Sequence, residues 1–287
     1  DGSGDFDFSR NSAATRVNAQ GLVEDVQILS SNLVQNGSFS QLGSEEVTNG
    51  NFSQQGSQLI VNGDFATDSN WILENGAVIN NNSVNIIGVG SRFRQDVLTV
   101  GKSYKLNYQV VSTNGEAFRF QDGVTAFADI NQTVGYHTYY FKASGDRVQF
   151  QAIGDIDARI DNCSVVEVGQ DWILSSQSEI IEDAAKVVST DGSFQFIKQD
   201  GFTSTQGKTI KFTIEITDIQ SGQLKVSFAG GATNTNIPNS VGTHTLYIPN
   251  DGTIGQLSIG RVSGVTDVTI TNISLKEVGQ NWSLNDW

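Results

Sequence analysis

The chain has 287 residues and a mass of 30.9 kDa, enough for two domains of about 100 to 150 residues or one large all-β domain. With 17 Lys and Arg against 31 Asp and Glu, its formal net charge is −14, which repels phosphate backbones and anionic lipid and argues against nucleic acid as a partner. One Cys and two His supply neither a disulfide framework nor a four-ligand zinc site, and no apolar run approaches the ~20 residues of a spanning helix, so membrane insertion is not expected. The first residues have neither the basic nor the apolar region of a signal peptide. There is no methionine, so Asp1 is not an initiator position and the chain reads as a piece of a longer polypeptide. Thirty Gly, two Pro, abundant Asn, Gln, Ser and Thr, and only 17% charged residues suit short strands joined by tight turns.

In chain order, residues 1–27 form an N-terminal arm that contains FDFSRNSAATRVNAQGLVEDV from Phe6 to Val26. Residues 28–61 carry a short repeat: NGSF begins at Asn36 and NGNF at Asn49, and a third copy, NGDF at Asn62, opens the next segment 13 residues on. Asn-Gly is a strong turn signal because both residues tolerate positive φ, and the apolar pairs Leu33-Val34 and Ile60-Val61 can serve as strand ends. The stretch reads as a run of short turns and strands, the alternative being a flexible linker.

A longer repeat covers the rest. IDNCSVVEVGQDW at Ile160 recurs as ITNISLKEVGQNW at Ile270, VGYHTYYF at Val134 as VGTHTLYI at Val241, GKSYKLNYQV at Gly101 as GKTIKFTIEI at Gly207, and Gln95-Asp96 as Gln199-Asp200. The offsets of 110, 107, 106 and 104 residues drift only slightly, so one fold occurs twice, over 62–168 and 169–279. Strand parity places Tyr104, Leu106, Tyr108 and Val110 on one face, matched by Ile210, Phe212, Ile214 and Ile216, with Lys105, Asn107 and Gln109 opposite. Val148, Phe150, Cys163 and Val165, with Leu257, Ile259, Ile273 and Leu275, add inward positions. The expected architecture is two tandem jelly-roll β-sandwich domains behind an extended arm. SEIIEDAAKVV from Ser178 has helical spacing, but its repeat partner from Gly76 to Ile87 reads as two short strands, so Ser178–Ser189 is expected to be a hairpin. Residues 280–287 are a tail or the start of a third copy, because Trp282 sits where Trp71 and Trp172 begin their units.

Catalytic signals are weak. His137 and His244 occupy one equivalent position, in line with inward-facing Tyr139 and Leu246, and read as strand-entry histidines with satisfied hydrogen bonds. Acids such as Asp122, Asp146, Asp155 and Asp157 read as solvated turn residues, and Cys163 as a small buried hydrophobe. GVGSRF at Gly88 lacks the third glycine and the helix of a dinucleotide loop. No enzymatic activity is expected.

NGDFATDSNW, the GK strand and IDNCSVVEV resemble the jelly-roll carbohydrate-binding modules of the family four and nine type, over residues 62–279. The Phe6–Val26 segment, together with tandem NGxF units, is similar to an N-terminal motif of bacteriophage fibre and capsid or tail decoration proteins. The resemblance implies a non-catalytic component of the virion surface, self-associated as a homotrimer, held to other virion proteins by its arm and presenting modules to host-surface glycans. An accessory fragment of a secreted polysaccharide-degrading enzyme, or a purely structural adaptor, stays open. In such modules an aromatic platform and planar polar side chains bind sugar, which nominates Tyr140, Arg119, Asn107 and Gln109, with Trp71 at the rim. Tyr140 recurs as Tyr247, which fits a structural role as readily, and the recurrence of Trp71, Trp172 and Trp282 at the unit starts favours a core or inter-domain plug. A structural calcium is implied in the first module only, held by Asp64, Asp161 and the Asn62–Gly63 backbone; the second has Thr271 in place of Asp161, and no NGxF element beside Trp172 in sequence.

Overall fold

In the computed structural model the described residues are 15–25, 34–127, 130–204, 208–229, 234–250 and 254–279. Residues 6–14 and 26 of the N-terminal motif, Leu33 of the apolar pair before the first NGxF turn, and the 280–287 tail lie outside them. Nothing in the described residues is helical, and the chain is all-β.

A hairpin of β1 (Thr15–Val17) and β2 (Val23–Asp25) turns at Asn18, whose Oδ1 accepts from the Gln20 and Leu22 amides. A short strand β3 (Gln55–Gln58) follows. The first sandwich comprises β4 (Ile72–Glu74), β5 (Val78–Asn80), β6 (Ser83–Ile87), β7 (Arg92–Asp96), β8 (Ser103–Gly115), β9 (Phe118–Gln121), β10 (Ala126–Phe127), β11 (Gly135–Lys142), β12 (Arg147–Ala152) and β13 (Ile156–Val168). The second comprises β14 (Ile173–Leu174), β15 (Glu179–Ile181), β16 (Ala184–Ser189), β17 (Phe196–Ser204), β18 (Thr209–Ser221), β19 (Leu224–Ala229), β20 (Thr235–Asn236), β21 (Gly242–Pro249), β22 (Ile254–Arg261) and β23 (Thr266–Val278).

The sheets of the two sandwiches run in the same order. One sheet is β10-β9-β12-β7-β4 in the first sandwich and β20-β19-β22-β17-β14 in the second; the other is β11-β8-β13-β6-β5 and β21-β18-β23-β16-β15. All pairings are antiparallel, and the strands between Ser178 and Ser189 form a hairpin turning at Glu182. The alternation that the sequence shows places Tyr104, Leu106, Tyr108 and Val110 inward against Phe93, Phe118, Phe120 and Phe150 of the facing sheet, all fully buried. Phe150 stacks on Phe93 at 5.2 Å and meets Tyr108 edge-on at 5.3 Å, geometries aromatic quadrupoles favour. The second core is aliphatic by comparison, built on Ile210, Phe212, Ile214, Ile216, Leu257 and Ile259. Asp122 is not a solvated turn acid. It is fully buried, and its carboxylate accepts from the Val124, Thr125 and Ser144 amides, which ties the end of β9 to the turn before β12.

The NGxF repeats explain how the arm joins the sandwiches. The last strand of each sandwich has a bulge at an Asn with positive φ, Asn162 at 49° and Asn272 at 48°. Past the bulge, the Cys163 amide donates to the Gly63 carbonyl at 2.8 Å, and the Ile273 amide to the Gly50 carbonyl at 2.9 Å. A Cβ on Gly63 would overlap the Cys163 carbonyl oxygen, and one on Gly50 that of Ile273, so this approach requires glycine. Leu59 donates to Val165 and Glu46 to Leu275, extending the contact antiparallel along each strand. Gln58 Oε1 accepts from the Val165 amide and Glu45 Oε1 from the Leu275 amide, both at 2.8 Å. Gln95 clamps both polar groups of the Val61 peptide, as Gln199 does those of Thr48. The 13-residue spacing in the arm is therefore in register with the 110-residue spacing of the sandwiches.

Each turn ends on a Phe in the left-handed region, Phe52 at 57° and Phe65 at 50°, a conformation that costs on the order of 1–3 kcal/mol. Burial offsets that cost. Phe65 stacks on Trp71 at 5.1 Å while the indole Nε1–H donates to the Asn62 carbonyl at 2.8 Å. Phe52 meets Trp172 at 5.3 Å, and that indole donates to the Asn49 carbonyl at 3.0 Å. The second sandwich thus does have an NGxF element, supplied from 120 residues before its tryptophan, and Val47 and Phe52 belong to its core instead of to a separate arm. Replacement Phe52→Ala is expected to cost about 3–5 kcal/mol in the second sandwich. Amide exchange resolved by strand should show lost protection in β14–β23; loss confined to β4–β13 would contradict this assignment.

Candidate functional site

The five nominated sugar contacts do not converge. Asn107, Gln109 and Tyr140 share the outer face of the sheet built on β8, whereas Arg119 lies on the outer face of the opposite sheet. Asn107 is satisfied within its sheet, donating to Ser164 Oγ at 3.1 Å and accepting from Thr138 Oγ1 at 2.8 Å. Gln109 accepts from Asn162 Nδ2 at 2.8 Å, which holds the bulge. The Tyr140 ring carries Lys105 Nζ 5.9 Å from its centroid and packs against the core of the second sandwich. Beside it Lys142 Nζ donates to the Leu174 and Ser175 carbonyls, and burial lowers its pKa. Tyr247, the repeat equivalent of Tyr140, is 62% exposed. Trp71 is a core residue and not a rim platform, because its ring is covered by Phe65 and Phe93.

The acidic pair nominated for calcium is close in space but poor in donors. Burial raises the pKa of Asp161, and the Asp64 charge adds to the rise, partly countered by the Asn162 amide and Arg159. Calcium takes six to eight oxygens. The Asn62 carbonyl already accepts from the Trp71 indole and the Phe65 amide, and the Gly63 carbonyl from Cys163. Among the described residues, no group of three or more His, Cys, Asp or Glu is placed to hold a metal ion. Two carboxylates with inward-directed carbonyls do not fit calcium.

The two histidines and the cysteine are engaged or buried. His137 Nε2 lies 2.6 Å from the Thr133 carbonyl and His244 Nε2 2.6 Å from that of Ser240. Burial drives the Cys163 thiol pKa far upward, so it is protonated and unreactive.

A polar groove that the sequence reading missed, apart from its neighbour Arg119, lies on the outer face of β4, β7, β12 and β9. Glu74, Arg92, Arg94, Gln121, Gly123, Arg147 and Gln149 line a volume of about 250 Å³. Strand pairing sets Gln149 opposite both Arg94 and Gln121, and Gln151 opposite both Arg92 and Arg119. Each lining arginine has a carboxylate. Arg92 pairs with Glu74, Arg94 Nη1 donates to Asp96 at 2.7 Å, and Arg147 Nε donates to Asp146 at 3.2 Å. Gln151 Oε1 accepts from Arg119 and Gln121. The groove is near neutral and rich in planar donors and acceptors, which suits hydroxyl groups better than a phosphate or sulfate. The period-two pattern was present in the sequence, since Arg92-x-Arg94, Arg119-x-Gln121 and Gln149-x-Gln151 all face outward from apolar-inward strands.

The second sandwich does not repeat this chemistry. The corresponding face carries Phe196, Lys198, Ser227 and Ser258, with Phe194 53% exposed beneath Lys225 Nζ.

No known protein family matches the chain, and no curated protein does. Among solved structures it is similar to the N-terminal CBM22-1–CBM22-2 tandem domain of Paenibacillus barcinonensis Xyn10C, at 10% identity and a TM-score of 0.29, over 77% of this chain and 97% of that one. It is also similar to vicilin from Solanum lycopersicum, at 8% identity and a TM-score of 0.16, over 67% of this chain and 75% of that one. At these scores neither likeness bears on function.

Because the Asp161 carboxyl has a folded pKa above its unfolded one, its charge opposes folding at neutral pH, and that opposition disappears as pH falls. Asp161→Asn should raise Tm at pH 7, by no more than about 2 °C because the site is largely solvent-screened. Melting across pH should show the difference vanishing below about pH 3.9. A lowered Tm at pH 7 would mean that the carboxylate is stabilising, as a bound cation would make it.

Proposed function

We propose that this chain is a non-catalytic glycan-binding protein whose first sandwich takes a neutral sugar unit in the Arg92, Arg94, Arg147 groove. The observation that carries this reading is that three outward arginines, each neutralised by a carboxylate, share one concave face with Gln121 and Gln149. Such a lining donates and accepts at fixed geometry and offers no excess charge. The occupied histidines and the buried thiol support a binding role over a catalytic one.

The setting we propose is the surface of a bacteriophage virion, as a fibre or as a capsid or tail decoration. There a homotrimer is anchored to other virion proteins by the arm and meets host-surface glycans. This finer part is supported by the resemblance of the Phe6–Val26 segment and the tandem NGxF units. The modules of a secreted polysaccharide-degrading enzyme would bind through the same groove, without an anchoring role for the arm.

A glycan array followed by calorimetry tests the binding. Neutral glycans should bind, and Arg94→Ala combined with Gln121→Ala should weaken the best ligand at least about tenfold while leaving Tm near wild type. No binding at high glycan concentration, or binding untouched by the double variant, would overturn the groove as the site. Light scattering after size exclusion reads the trimer directly.

A further inference from the structure

Three NGxF turns precede two sandwiches, and the two later turns are assigned in reverse order: the Asn62 turn holds Trp71 of the first sandwich and the Asn49 turn holds Trp172 of the second. The Asn36 turn has the same internal geometry. Asn36 and Phe39 have φ of 52° and 54°, the Phe39 amide donates to the Asn36 carbonyl at 3.0 Å, and Asn36 Oδ1 accepts from the amide five residues on at 2.9 Å. Asn49 and Asn62 accept in the same way from Gln54 and Thr67.

The register around this turn is also that of the second one. Gln55, three residues after Phe52, pairs with Val168; Leu42, three residues after Phe39, bridges to Val278. The Gly43 amide then donates to the Glu277 carbonyl at 2.9 Å. Val168 is followed by Gly169 with φ of 67° and Val278 by Gly279 with φ of 75°, so the chain leaves β23 as it leaves β13. Four residues beyond Val168 stands Trp172; four residues beyond Val278 the sequence has Trp282, within GQNW against GQDW.

We propose that the Asn36–Gln41 turn is the docking site for the indole of Trp282, with its Nε1–H donating to the Asn36 carbonyl and its ring against Phe39. The arm would then strap every tryptophan that opens a 110-residue unit, the first turn serving the last tryptophan, and would bring residue 36 beside position 282. A buried indole N–H without an acceptor is costly, and the Asn62 and Asn49 turns each offer a carbonyl to their tryptophan.

The test uses the full chain with indole-15N tryptophan, Trp282 being assigned by Trp282→Phe. The Trp282 indole N–H should exchange with solvent at least about tenfold more slowly than in free tryptophan. Phe39→Ala should shift and deprotect that signal while leaving those of Trp71 and Trp172 in place. Trp282→Ala should in turn shift the backbone amides of Phe39 and Gln41. Exchange of the Trp282 indole at the free rate, or a Phe39→Ala spectrum in which that signal does not move, would overturn the proposal.

Discussion

The contact between a glycine in the arm and the bulge in each last strand governs this structure. Gly63 against Cys163 and Gly50 against Ile273 bring two backbones together where no side chain fits, and everything around that point is arranged to keep it. The positive-φ Asn of the bulge turns the next amide outward, the Asn of the NGxF turn holds its own loop, and the Phe is driven into the core beneath a tryptophan. At Phe52 and Phe65 the cost of the left-handed region is offset by burial of the ring against an indole whose N–H is bonded within the same turn. The edge of each last strand is covered in the process, which protects backbone groups that would otherwise invite pairing with another chain.

A consequence is that sequence order and structural membership differ. Residues 45–52 precede the whole first sandwich and yet complete the core of the second. The two units are therefore not beads that could be exchanged freely, since separating the second from residues 45–52 would strip Val47 and Phe52 from its interior. Tyr140 and Lys142 add a second tie, reaching from β11 to the start of the next sandwich.

The inner faces of the two sandwiches are apolar at matching positions, aromatic in one and mainly aliphatic in the other, whereas the outer faces differ in chemistry. One is an arginine and glutamine groove, the other an exposed Phe194 against the half-buried Phe196, with Lys225 over the Phe194 ring. Core positions are constrained by packing against a common partner sheet, whereas outward positions on the same strands answer only to solvent or a ligand. The outer faces therefore differ in chemistry without cost to the shared fold.

Periodicity and repeat register, both local properties of the chain, were enough to establish the all-β class, the two units, the inward residues of β8 and β18, and the hairpin after Ser178. They also marked Asn36, Asn49 and Asn62 as turns in one phase, because Asn-Gly tolerates positive φ wherever it stands. They could not say which turn serves which unit. The distance from Phe52 to Trp172 is 120 residues, and only the folded chain brings the two together. The nominated site failed for the same reason. Arg119 and Tyr140 have the right chemistry, but they stand on different sheets, and Trp71, which its recurrence already favoured as a plug, lies in the core against Phe65. The groove needed four strands to be placed side by side before Glu74, Arg92, Gln121 and Arg147 shared a face, since alternation along a strand tells which way a side chain points but not which strand lies next to it.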